Sequence, residues 1–312
     1  MAGLSVLVPV FNRPVAALVA ALRSQAPHWP GPVEICLLDD GSAKEIRRQN
    51  RPLGELPGVR YAELPHNAGR AAVRNHLAAR AAHEWVLLLD NTTQLLPHVH
   101  LLAGYAAALE EAPVLAGGVV YAEAPPVAPG QYLRWLYGRQ REHRSVARRR
   151  AAPYAQLLLN NLLIKKELLL QFSLDEALRG YGHEDTKLGW QLAAAAVPIR
   201  HLDNPVLHAG LEEATVFLYK SEQGVRNLAH LLQAEGLGAT TRLVRLAQQL
   251  QRLRLAGVAR RALGAAAPAL RRQLLGPRPR LAALDALKLG WLLAALARKS
   301  RSATFAGRVC PY

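Results

Sequence analysis

The chain has 312 residues, of which 51% are apolar, 6% aromatic and 20% charged, with 39 Lys plus Arg against 23 Asp plus Glu and a formal charge of +16. A chain half apolar buries the core of one large or two modest domains, which excludes disorder and collagen-like repeats. Its two cysteines, Cys36 in an apolar run and Cys310 near the end, exclude a disulfide framework and read as a reducing compartment.

In chain order, the first 120 residues alternate short apolar runs with helical patterns, as βαβ units do. Strands are expected at Leu4 to Val8, Val33 to Leu38, Val59 to Glu63 and Glu84 to Leu89. Helices are expected at Val15 to Gln25, Ala43 to Arg51 and Ala71 to Ala82. Consecutive apolar positions within the strands indicate burial on both faces, as in an open α/β sheet that is mainly parallel. Residues 122–153, with four prolines and the cluster Arg148-Arg149-Arg150, read as a mobile connection or an acceptor-side insertion. Apolar structure resumes from Leu157 to Asp175, and Thr186 to Ala196 is helical in pattern. From Thr241 the period is helical again, with Leu243, Leu246, Leu250 and Leu253 recurring, and Pro268, Pro277 and Pro279 are expected to cut this tail into at least two helices.

The charge is unevenly placed. Residues 241–312 hold 15 Lys plus Arg and one acid, Asp285, whereas residues 1–240 are nearly neutral at +2. The expected division is therefore a near-neutral domain over 1–240 and a basic helical extension over 241–312. The first residues lack a basic leader and reach Asn12 and Arg13 too soon for a secretion signal, and no apolar run approaches the ~20 residues needed to span a bilayer.

In open α/β sheets, ligands bind beyond the carboxyl ends of the strands. Four loops there carry polar groups: Pro9 to Pro14, Asp39-Asp40-Gly41-Ser42, His66-Asn67-Ala68-Gly69-Arg70 and Asp90-Asn91-Thr92. Singly, each reads equally as an ordinary turn. Glu184-Asp185 follows Gly180-Tyr181-Gly182-His183 at the mouth of a helix, where the helix dipole favours anions; a cap needs one acid, and here there are two. His208 is a candidate ligand from a distant loop, though a lone histidine is more often a hydrogen-bonded loop residue. No zinc spacing, Walker loop, GxSxG elbow or GxGxxG fingerprint is present.

Together these loops resemble the family-2 glycosyltransferases of GT-A fold. The likeness rests on Val6 to Arg13, Leu38 to Ser42, Asn67 to Asn75, Trp85 to Asp90 and Gly180 to Leu192, five segments in order over roughly residues 4 to 230. The resemblance implies an inverting transferase that moves a sugar from a nucleotide-sugar, of the UDP type, to a saccharide or lipid-linked hydroxyl in cell-surface polysaccharide synthesis. It implies that Pro9, Val10, Asn12 and Arg13, with Asp39 or Asp40, hold the base. Asn67, Gly69 and Arg74 would close over the nucleotide, and Asp90 matches the first aspartate of a DxD motif against ribose and diphosphate. Asn161, His183 and Trp190 fall on the acceptor side, and Asp185, with Glu184 as the alternative, matches the catalytic base.

One position departs from the family pattern. Thr92 replaces the second DxD aspartate, a direct ligand of Mg or Mn. Three readings follow: Asp90 and His208 hold the metal with the diphosphate, Arg and Lys side chains neutralise the leaving group, or the protein is an impaired transferase that binds a nucleotide-sugar or a partner enzyme. The basic extension suits an anionic membrane surface through its leucine faces and Trp291, with the enzyme cytoplasmic and peripheral on the inner face. The alternative is a solvated appendage. Nucleic-acid binding is disfavoured, because interleaved aromatics and any recognised module are missing.

Overall fold

The computed structural model of the chain describes residues 2–178 and 180–305. Cys310 lies outside the described residues; Cys36 is a buried free thiol. In chain order the elements are β1 Leu4–Val10, α1 Ala16–Gln25, β2 Val33–Asp39, α2 Lys44–Asn50, β3 Val59–Glu63, α3 Arg70–Arg80, β4 Trp85–Leu89, β5 Thr93–Gln94, α4 Leu101–Ala106, β6 Val114–Ala116 and β7 Val119–Val120. There follow α5 Tyr132–Tyr137, α6 Val146–Arg150, β8 Asn161–Lys165, α7 Lys166–Gln171, α8 Glu184–Ala194, β9 Ile199–His201, β10 Val206–His208, α9 Ala214–Glu235, α10 Arg242–Arg252, α11 Ala256–Leu275 and α12 Leu281–Phe305.

The chain divides into two compact units. The first comprises Met1–Pro125, Gly138–Arg179 and Glu184–Leu211; the second comprises Pro126–Tyr137, Gly180–His183 and the chain from Glu212 onward. The boundary expected at 240/241 thus falls inside the second unit, because α9, just before it, packs on α12.

The first unit is built on a seven-stranded sheet of order β3-β2-β1-β4-β8-β6-β9. Strands β3, β2, β1 and β4 are parallel, and β8 is inserted antiparallel between β4 and β6. Alternating side chains leave the sheet on opposite faces, and both faces are covered. Val6, Val8, Leu37, Leu87 and Leu89 pack with Val19 and Leu22 of α1 and Leu101, Leu102 and Tyr105 of α4. Leu7, Leu38, Val86 and Leu88 pack with Val73 and Leu77 of α3 and Leu188 and Leu192 of α8. This two-sided burial is why the strands read as unbroken apolar runs. A short sheet, β5-β10-β7, lies apart from the large one and carries Thr93 opposite His208.

Two features differ from expectation. The connection over 122–153 is folded, with α5, α6 and a π turn at Gly138–Glu142, where a Cβ on residue 138 would come within 2.3 Å of the Tyr121 ring. Pro268 does not end a helix but lies inside α11. It is tolerated because Ala267, Leu270 and Leu274 of the same helix pack into the second unit's core with Phe217, Leu284 and Leu287, a tertiary gain set against a propensity cost of about 3 kcal/mol.

Candidate active site

The site is built at the carboxyl edge of β1, β2 and β4. After β1 the chain turns at Asn12, which adopts the left-handed conformation (φ 49°) that asparagine tolerates better than most residues. Asn12 N–H donates to Ser42 Oγ at 2.8 Å, and its Oδ1 accepts from Ala43 N at 2.8 Å, so the first two loops are tied side to side. Asp39, fully buried, accepts from Ser42 N through Oδ1 at 2.7 Å, with Arg47 Nε 3.5 Å from the same oxygen.

Asp40 reaches the third loop, accepting from Ala68 N at 2.6 Å and Gly69 N at 3.2 Å, while Asn67 Nδ2 donates to the Asp40 carbonyl at 3.1 Å. Burial raises the Asp40 pKa, opposed by those two N–H bonds and reinforced by Asp39. Gly41 makes this contact possible. Its φ is +80°, and a Cβ there would lie 2.6 Å from Asn67 N and 2.7 Å from the His66 carbonyl carbon.

The second part of the site is an alternating chain of charges. Arg74, 3% exposed, bonds Asp90 Oδ1 with its guanidinium and the Arg70 carbonyl at 2.9 Å. One helical turn earlier, Arg70 lies 3.9 Å from Asp90 Oδ2 and 3.5 Å from Glu184 Oε1. Burial alone would raise the Asp90 pKa, but Arg74, Arg70 and His208 outweigh it and hold the carboxyl below its ordinary value. Arg70 was not singled out from the sequence. The readable signal is its i, i+4 spacing from Arg74 at the first helical position after Gly69, which puts both guanidinium groups on one face of α3.

Asp185 stands at the first turn of α8, its Oδ1 accepting from Thr186 N at 2.7 Å and from Thr186 Oγ1 at 3.3 Å. Burial, then the charge of Glu184, raise its pKa to about 6, against the lowering effect of the Thr186 bonds and Arg70. Helix α8 approaches the rest of the unit closely, since a Cβ on Gly189 would lie 2.3 Å from the Tyr154 carbonyl. Next in sequence, Trp190 is half-buried and six residues on from Glu184, about 240° around the helix, so it points off the Glu184 face. His183 belongs to the second unit and has a left-handed backbone (φ 77°); burial and Lys288 lower its pKa to about 4.

The structure therefore brings Pro9, Val10, Asn12, Asp39, Asp40, Asn67 and Gly69 to one edge, and Arg74, Asp90 and Glu184 into one charge network. Val10 is a fully buried strand residue. Asn161 is placed differently. It is 1% exposed, its Nδ2 donates to the Gly118 and Asn204 carbonyls at 2.8 Å each, and its Oδ1 accepts from Tyr105 Oη at 2.8 Å. Its amide is consumed in holding strand ends together, which leaves it no group to offer an acceptor.

Position 92 brings together Thr92, His208 and Arg13. Thr92 Oγ1 and His208 Nδ1 are 3.3 Å apart, and the Tyr121 ring packs at a tilt against the His208 ring, centroids 5.3 Å apart. A Cβ on Gly210 would lie 2.2 Å from Thr92 Cγ2 and 2.9 Å from an Arg13 guanidinium nitrogen, so Arg13 extends over the same spot. A divalent ion of the Mg or Mn type needs several hard oxygens converging on it. Here both oxygens of Asp90 face guanidinium groups, Thr92 supplies a hydroxyl, and among the described residues no three His, Cys, Asp or Glu side chains converge. The donor set does not fit such an ion.

The large sheet, covered on both faces, with acidic and glycine-bearing loops at its carboxyl edge, has the architecture of the GT-A fold. Residues 5–156 match the family described as glycosyl transferase family 2. A hyaluronan synthase from Pasteurella multocida is 30% identical over 112 residues, 35% of this chain, and the match spans 11% of that protein. Among solved structures, the mannosyltransferase PcManGT from Pyrobaculum calidifontis, in complex with GDP-Man and Mn2+, superposes with a TM-score of 0.52 at 16% identity, over 98% of this chain and 88% of that one. TarS 1–349 from S. aureus superposes with a TM-score of 0.47 at 17% identity, over 96% and 91% of the two chains.

Proposed function

We propose that the chain is an inverting glycosyltransferase that moves a sugar from a nucleotide-sugar, of the UDP type, to a hydroxyl of a saccharide or lipid-linked acceptor in cell-surface polysaccharide synthesis. The observation that carries this is Asp185. A carboxylate at the head of α8 whose pKa is raised to about 6 is matched to accept a proton near neutral pH. With Oδ1 anchored by Thr186, Oδ2 takes the proton of the acceptor hydroxyl as that oxygen bonds to the anomeric carbon. The bond from that carbon to the diphosphate breaks on the opposite side, and the nucleoside diphosphate leaves with the electron pair. Pro9 to Arg13, with Asp39 and Asp40, form the base-binding edge, and Asn67 and Gly69 close on the nucleotide. Asp90, held in place by Arg74, faces the ribose.

Developing negative charge on the diphosphate needs fixed positive charge. Arg13 beside Thr92, and Arg70 between Asp90 and Glu184, supply it, so turnover is independent of added Mg or Mn. His183 and Trp190 flank the base in sequence on the acceptor side. The basic extension over 241–312 places the enzyme against an anionic membrane surface, peripheral on its cytoplasmic face. No described helix is long and apolar enough to cross a membrane.

The Thr92 position favours a second reading, an impaired transferase that binds a nucleotide-sugar or a partner enzyme. Release of nucleoside diphosphate from a panel of UDP- and GDP-sugars, with chelator and with Mn, separates the two. Turnover by the wild type that Asp185→Asn abolishes supports transfer. Donor binding by thermal shift, with turnover no greater than that of Asp185→Asn, supports the second reading.

A further inference from the structure

Within the second unit, the apolar residues of α12 and of the end of α11 are core. Leu274, Leu281, Leu284 and Leu287 pack with Phe217 and Leu218 of α9, Trp291 packs against the same cluster, and the Arg271 guanidinium lies 5.7 Å from the Trp291 ring centre. Trp291 and the leucines of α12 are thus occupied. One part of the extension differs, the corner where α10 turns into α11. Helix α10 buries Val244 and Ala247, while Leu246 is 44% exposed, Leu253 59%, Leu255 48% and Val258 67%. Around these apolar tips stand Arg245, Arg252, Arg254, Arg260 and Arg261, all exposed. From 236 to 284 the sequence holds ten arginines and no acid.

The corner itself is a tight helix stop. Leu255 N–H donates to the Leu250 carbonyl at 2.8 Å and Arg254 N–H to the Gln251 carbonyl at 2.9 Å, with Arg254 left-handed at φ 59°. That position is ordinarily a glycine's, because any Cβ is strained there. An arginine held there adds a charge between two exposed leucines at the expense of local stability.

We infer that the α10–α11 corner is a membrane-docking tip, in which Leu253, Leu255 and Val258 enter the headgroup boundary of an anionic bilayer while Arg252, Arg254, Arg260 and Arg261 meet lipid phosphates. Charge complementarity selects the occupant. A second copy of the chain would set arginines against arginines, and a nucleic acid would offer phosphates but no apolar layer for the leucines and valine. An anionic lipid surface supplies both. The inference deepens the membrane reading of 241–312 and rests on it, but it is independent of whether the first unit transfers sugar.

The test is co-sedimentation of the full chain with phosphatidylcholine vesicles, with and without phosphatidylglycerol, at low and high salt. The expected result is binding to the anionic vesicles only, weakened by salt. Leu253→Ser/Leu255→Ser/Val258→Ser should lower partitioning by about tenfold or more. Arg254→Gly should lower it about fivefold, while its melting temperature stays the same or rises, which separates the loss of contact from loss of folding. Wild-type binding that both variants retain would overturn the corner while leaving the membrane reading standing. No binding by the wild type would overturn both, with the transfer reaction still judged by donor turnover. A wild-type dimer that the triple variant dissociates, without vesicle binding, would assign the corner to a second copy and also overturn the proposal.

Discussion

If Asp185 is the base, its protonation must limit the reaction at low pH. Burial and the neighbouring Glu184 raise its pKa from 3.8 to about 6. Only the deprotonated form accepts the acceptor's proton, so activity rises with pH through that value. About nine-tenths of the enzyme is competent at pH 7 and about one-tenth at pH 5, roughly a tenfold fall in kcat/KM. An ordinary aspartate would lose less than a tenth over the same interval. Glu184→Gln removes the like charge but not the burial, which is the larger cause, so the acid limb should move below 6 without returning to 3.8. The assay is nucleoside diphosphate release from the donor that turns over best, measured from pH 4.5 to 8 for wild type, Glu184→Gln and Asp185→Asn. A flat wild-type profile between pH 5 and 7, or an acid limb unmoved by Glu184→Gln, would refute the reasoning even if Asp185→Asn were inactive.

Three further outcomes follow from the geometry. Arg74→Met leaves Asp90 with the more distant Arg70, at 3.9 Å, and His208, and breaking a buried pair costs about 3–5 kcal/mol, so thermal unfolding should show a loss near the lower figure that Asp90→Asn partly restores in the double variant. Gly41→Ala adds both a left-handed strain and a Cβ 2.6 Å from Asn67 N; denaturant unfolding should show a loss of about 2 kcal/mol or more, with weaker nucleotide binding in calorimetry. Thr92→Asp places a carboxylate beside His208, and nucleoside diphosphate should then stabilise that variant more with Mn than with chelator, a difference the wild type lacks in thermal shift.

The fold was legible because its signals are local. Parallel strands buried on both faces are apolar at consecutive positions, as in residues 6–8 of β1, residues 35–38 of β2 and all of β4, so their places and the loops after them could be read without a structure. The antiparallel insertion of β8 was not legible, since nothing in Asn161–Lys165 states which strand it pairs with. The site divides along the same line. Asp39 ends β2, Asp40 and Asp90 follow β2 and β4, and Asn67 and Gly69 lie in the loop after β3, so their place at the carboxyl edge was legible. Asn161 carries the same polar signal, but pairing opposite Leu89 turns its amide inward to the Gly118 and Asn204 carbonyls. Arg70 was missed because an arginine opening a helix is ordinary until Asp90 and Glu184, 20 and 114 residues on, arrive on either side of it. The extension shows the converse: its leucines share one period, yet Val244 and Ala247 are buried while Leu246 and Leu253 stay in solvent. Periodicity says that a helix has a face, and only the packing of its neighbours decides which residues that face hides. Where the larger apolar residues are the ones left outside, among arginines and without an acid, the exposed face calls for a partner that is both apolar and anionic.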